Sequence, residues 1–248
     1  MKGLERRHGQ IVKQYWAPPI SVIHAVDAVL ETRWKEAKCG RTRKKCDEMG
    51  TWMICGFCSD LCGEEMILIE LAGTANSLQF LEDEDVPHFC FVVSGRTKSN
   101  RSSGAKFELP IARVTRGTSL QPGKWILRLV KYIRSKRRTT GRLFQRNLDP
   151  PLPFEFQDDF FSVLEFIQAT TDLIPAEKDL REEAGILRSL RQALTDHHRN
   201  MQVPRHLLEA FNHWHKEQKG DKVDHVMVDR YSTLGNLKPL FLEFSLAL

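Results

Sequence analysis

Two β-rich runs, set in a chain otherwise patterned for helices, most constrain what this sequence can fold into. The first is His88-Phe89-Cys90-Phe91-Val92-Val93 and the second is Lys106-Phe107-Glu108-Leu109-Pro110-Ile111. Residues 94–104 between them are polar and rich in Gly and Ser, so the pair predicts an antiparallel hairpin. Arg96, Lys98 and Arg101 lie in that connection, which gives the hairpin a long cationic tip.

Around the hairpin the hydrophobic period is that of helices. Val22, Ile23, Val26, Val29 and Leu30 recur at three to four and predict a helix over 20–35. Trp125, Ile126, Leu129, Val130 and Ile133 predict another over 122–136. Further helices are expected at about 156–170, 178–197, 204–217 and 222–231. The apolar stretch 49–71 predicts two buried helices meeting at Cys62-Gly63. Residues 38–45 read as a basic, Gly-containing break, 1–18 as a linker or frayed tail, and 236–248 as a short docking helix or tail. The expected fold class is therefore mainly α with a small antiparallel β-sheet (α+β). No long flexible linker divides the chain, so one domain is expected.

Charge is distributed unevenly. The 248 residues carry a formal net charge of +5, and residues 113–146 hold eleven Lys and Arg with no acid between Glu108 and Asp149. Such a face suits an anionic partner. Lys124, Arg128, Lys131 and Arg134 on the 122–136 helix are candidate contacts for such an anion, together with Arg96 and Arg101 in the hairpin connection. No apolar run reaches the roughly 18 residues that span a bilayer, so no membrane partner is expected. The first residues are polar, with no signal-peptide core behind them. The six cysteines then read as reduced thiols, in an intracellular protein that is nuclear if the source is eukaryotic.

Three other features were weighed for chemistry. Cys55 and Cys58 have zinc-knuckle spacing, but Trp52, Met53, Ile54 and Phe57 flank them as in an apolar helix, where cysteine packs as a small hydrophobe. His213 and His215 are two apart and do not share a helical face. Residues 95–104 lack phosphate-loop spacing. No metal, cofactor or small-molecule substrate is therefore expected. Arg188 and Arg191 are three apart, Trp214 follows, and Tyr231 comes 17 residues after it. Two guanidiniums on one helical face form a fork-shaped site for phosphate oxygens. Each has a plainer reading too: Leu180, Ala184, Leu187, Leu190 and Leu194 mark a buried stripe that arginines can flank, and Trp214 falls at helical spacing from Leu207, Leu208 and Phe211.

The order of these residues resembles the catalytic domain of the tyrosine recombinases, the phage-integrase-like DNA breaking and rejoining enzymes. Arg96-Thr97-Lys98-Ser99 resembles the family's hairpin lysine motif, and Arg188-Ser189-Leu190-Arg191 its His-x-x-Arg box. Trp214 is similar to the family's His/Trp position, and Tyr231 in Asp229-Arg230-Tyr231-Ser232 to the nucleophile. The nearest resemblance is to integrase-like frames of eukaryotic mobile elements, and it covers roughly residues 50–235. The family's first catalytic arginine would stand at Cys62, three residues before Glu65. The resemblance implies a catalytic domain over 46–235, with 1–45 as a tail and a remnant of a core-binding domain and 236–248 as a C-terminal tail. It implies cofactor-free DNA integration and recombination through a 3′-phosphotyrosyl link, on double-stranded DNA, as a homo-oligomer. In that scheme Tyr231 attacks, Arg191 and Arg188 stabilise the phosphate, Lys98 protonates the leaving oxygen and Trp214 packs or donates to phosphate. Cys62 implies crippled catalysis. A non-catalytic DNA-binding module and a helical protein-interaction domain remain as alternative readings.

Overall fold

The long apolar stripe of the first helix sets the architecture. The computed structural model describes residues 15–59, 61, 63–72, 77–81, 85–93, 107–146, 152–203 and 237–248. Helix α1 spans Ile20–Glu36 and buries Val22, Ile23, Val26 and Leu30. It packs against α2 (Gly40–Gly50) and against α6 (Gln157–Thr170). Helix α2 runs on through a π-helical turn, Thr51–Cys55, into α3 (Gly56–Ser59), and every residue from 51 to 59 is buried. Helix α5 (Pro122–Ser135) lies on α2 and the π-turn. A Cβ at Gly50 would stand 2.2 Å from the Trp125 ring, so only glycine allows α2 and α5 this close.

The sheet has three antiparallel strands in the order β1 (Ser77–Leu81), β2 (His88–Val93) and β3 (Phe107–Ala112). Phe89 pairs with Phe80 on one side and Ile111 on the other, so aromatic and branched side chains stack across all three strands. Pro110 sits in β3, an edge strand, where its missing N–H is tolerated. The C-terminal helix, α9 (Leu237–Ala247), covers that strand. Ser245 Oγ accepts the Ala112 N–H at 2.8 Å, and Leu246 O accepts the Arg116 N–H at 2.7 Å. The expected docking element at 236–248 is thus a helix with Phe241 and Leu248 buried.

Mainly helical structure with one small antiparallel sheet agrees with the expected class. Several local expectations are corrected. Residues 40–45 form the first turns of α2 rather than a break, because Arg, Lys and Thr after an extended Cys39 can propagate a helix that Met49 and the π-turn anchor in the core. After the short α4 (Gly63–Met66) the chain leaves helix. Ile69 O accepts from Leu143 N at 2.7 Å and Glu70 O from Leu78 N at 2.9 Å, so 67–71 serves as a tie between the sheet and residues 141–143. The helix expected at 178–197 is two pieces, α7 (Leu180–Glu183) and α8 (Ile186–Asn200). Gly185 separates them, and the Tyr15 ring lies where a side chain there would stand. Residues 15–17 are accordingly no tail: Trp16 N–H donates to Glu183 O at 2.7 Å, and Trp16 and Ala17 pack on the core. A boundary at residue 45 would cut α2, and α1 shares one hydrophobic cluster with α5, α6 and α8. The helices expected at 204–217 and 222–231 lie outside the described residues.

Candidate functional site

Helix α8 is amphipathic, and its apolar face buries Leu190, Ala193 and Leu194 together with Ser189 and Thr195. Ser189 Oγ accepts the Gly185 N–H at 2.8 Å and fixes the start of the helix, while Thr195 donates back to Arg191 O at 3.0 Å. Arg188 is exposed, with its guanidinium 5.7 Å from the centre of the Tyr15 ring. Arg191, one turn on, is half-buried. Both α3 and α4 pack on α8. These two short helices flank position 62 in the sequence, so the segments on either side of it adjoin the helix that carries Arg188 and Arg191. Cys62 itself lies outside the described residues, as do Arg96, Lys98 and Arg101 in the β2–β3 connection, Trp214 and Tyr231.

The α5 cations divide into two kinds, two paired with carboxylates of α1 and two exposed. Lys124 Nζ lies 3.4 Å from Asp27 and 3.2 Å from Glu31. Arg128 grips Glu31 with two donors, Nη1 at 2.7 Å and Nη2 at 3.2 Å, and its guanidinium stacks 4.0 Å over the Trp34 ring. The Trp125 indole N–H donates to Asp27 at 2.6 Å in the same seam. Arg128, then Lys124, holds the Glu31 carboxyl down at about 2, against the opposing effect of its burial. Lys124 and Arg128 therefore tie α5 to α1 through Asp27 and Glu31. The signal was present as matched i,i+4 pairs, Asp27/Glu31 and Lys124/Arg128. Lys131 and Arg134 are exposed, the latter 5.4 Å over Phe80, and they keep their place as candidate phosphate contacts.

Beside this seam Asp47 is 3 % exposed. Burial pushes its carboxyl from 3.8 up to about 7. The nearby Trp34 indole lowers it without closing a hydrogen bond, Arg128 lowers it further, and Glu31 and Glu48 raise it. A group raised on folding stabilises the fold fully below its unfolded value, and that contribution is lost as pH rises through the folded value. Asp47→Asn should therefore remove a decline in unfolding free energy between about pH 4 and 7. Urea titrations at pH 4.5 and 8 check this, and equal declines in both proteins would count against it. Glu31 acts in a separate window, because its lowered carboxyl gives up stability only as pH falls from 4.5 towards 2.

Cys55 and Cys58 are fully buried among core side chains, and burial raises both thiols. No cluster of His, Cys, Asp and Glu suited to a metal ion occurs among the described residues. No helix among them is long and apolar enough to cross a membrane. What the sequence reading passed over is the basic start of α2. Arg41, Lys44 and Lys45 line a cleft of about 450 Å³ with Arg146, Glu48 and Gln145. The run of cations was visible in the sequence, but its helical arrangement was not. No protein-family model, curated protein or solved structure matches the chain.

Proposed function

We propose that this chain is a DNA-binding domain built on the tyrosine-recombinase plan, with its strand-cleavage chemistry weakened at one position. The observation that carries the reading is the placement of α3 and α4, on either side of position 62, against the helix that holds Arg188 and Arg191. A three-stranded antiparallel sheet whose β2–β3 connection contains Lys98 is the second support.

In this reading the Tyr231 hydroxyl loses its proton to solvent water and its oxygen attacks a backbone phosphorus. The bond to the 5′-oxygen breaks, and that oxygen takes a proton from Lys98. The 3′-phosphate remains esterified to Tyr231, so the phosphodiester energy is kept and the reverse step reseals the strand. Arg191 and Arg188 donate to the phosphate oxygens, where negative charge builds up. Trp214 packs against or donates to the same group. Cysteine at position 62 offers no fixed bidentate cation, so the further arginine that the resemblance implies there is missing. The same substitution favours the reading of a DNA-binding module that no longer cuts.

A nicked duplex that loses its short leaving strand would trap any phosphotyrosyl adduct as a band resistant to denaturant. The parent protein should form it slowly, and Tyr231→Phe should abolish it while duplex binding persists. Adduct formation that survives in Tyr231→Phe would exclude Tyr231 as the nucleophile. Salt-dependent duplex binding without any adduct in the parent would leave the binding module alone.

A further inference from the structure

We infer that the basic cleft between α2 and residues 143–146 is a duplex-DNA backbone clamp, with Arg41 and Lys45 as its phosphate-contacting side chains. The inference rests on the DNA-binding reading above and assigns it a surface outside the recombinase-like residues. Arg41, Arg43, Lys44 and Lys45 fall in the first two turns of α2, whose first turn holds no acid. Positions 41, 44 and 45 share a helical face, where like charges repel. They also stand at the end of the helix where its dipole disfavours cations. An external anion would relieve both.

The internal partners offset only part of this charge. Lys44 Nζ lies 2.6 Å from Glu48, and Lys45 Nζ lies 2.6 Å from Asp159, which also takes Arg146 at 3.0 Å. Glu48 is almost fully buried, whereas Arg41 and Lys45 are exposed. Among the described residues the cleft is lined by four cations and one carboxylate. Lys44 donates to Gln145 O at 3.1 Å and holds the two walls together. The positive strip continues onto α5: a Cβ at Gly40 would lie 3.6 Å from the Tyr132 ring, which also carries Lys136 Nζ 5.6 Å from its centre. Among the described residues no aromatic side chain lines the cleft, so they offer no platform for unstacked bases. A polar, cationic groove of this kind fits the phosphates of a duplex read without regard to sequence.

The test is duplex binding against salt concentration for the full chain and two double variants. Each phosphate contact contributes about 0.9 to the slope of log affinity against log salt. Arg41→Gln/Lys45→Gln should flatten that slope by about 2 and weaken binding about tenfold to a hundredfold at low salt, equally on unrelated sequences. Arg41→Lys/Lys45→Arg keeps the charge and should keep the parent slope. If the parent binds and the glutamine variant binds with the same slope and affinity, the clamp is refuted while the DNA reading stands. A glutamine-like loss in the charge-retaining variant also refutes it, because charge would not be what the cleft supplies. If the parent shows no salt-dependent duplex binding, the DNA reading falls and the clamp with it. Poly-glutamate displacing the duplex at equal charge would overturn the assignment in favour of an acidic protein partner.

Discussion

Cys62→Arg should raise the rate of covalent adduct formation on a nicked duplex by about 10²–10³, the scale that one oxyanion donor contributes to an acyl or phosphoryl transfer. The expectation follows from the proposed chemistry. A phosphate being attacked needs fixed donors at its equatorial oxygens, and a guanidinium supplies two in one plane where a thiol supplies one weak one. The helices on either side of position 62 in the sequence pack on α8. The measurement is the first-order rate of adduct accumulation with saturating protein. Duplex affinity should change much less than the rate, because the new donor acts mainly on the transition state. An unchanged adduct rate, with binding intact, would mean that position 62 is not the first box. An increase in affinity alone would mark the arginine as one more phosphate contact.

Trp52→Ala should lower the unfolding free energy by about 3–5 kcal/mol, the range for large aromatic deletions in cores. Trp52 is fully buried on the π-helical turn. Its ring stacks on Phe156 with centroids 4.1 Å apart and planes 5° apart, and it meets the edge of Phe144 at 5.4 Å. One side chain therefore joins the π-turn to two segments distant in sequence, and its loss leaves a cavity that three backbones would have to collapse together. The indole N–H has no hydrogen-bond partner. Trp52→Phe removes that buried donor along with some volume, so it should cost much less than the alanine change. Urea unfolding followed by far-UV circular dichroism checks both. A cost for Trp52→Ala below about 1 kcal/mol would show that this aromatic stack is not holding the segments together.

Elements that bury one face were legible in the sequence. Helices α1, α5 and α6 and strands β2 and β3 lie within a residue or two of where their periodicity places them, because one-sided burial prints its period on the chain. Strand β1 was not legible. It has five residues, with Ser77 and Gln79 among them, and its conformation comes from pairing with β2. The split of the 178–197 helix was also hidden; Ala184 and Gly185 leave helical geometry there, and the Tyr15 ring packs where a side chain at 185 would stand. For the candidate site, the sequence placed Arg188 and Arg191 on one helix and identified a cationic region. It could not say which of the cations were already used.

The difference has a simple physical origin. Local burial patterns and net charge are properties of neighbouring residues, so the chain alone determined a mainly helical α+β fold, a hairpin and a basic region. Partnership across space is not local. Arg128 and Glu31 are 97 residues apart, and only the docking of α5 on α1 decided that this guanidinium holds helices together. At the start of α2, by contrast, Lys44 and Lys45 find Glu48 and Asp159, and the positive charge of Arg41, Lys44, Lys45 and Arg146 is offset only in part.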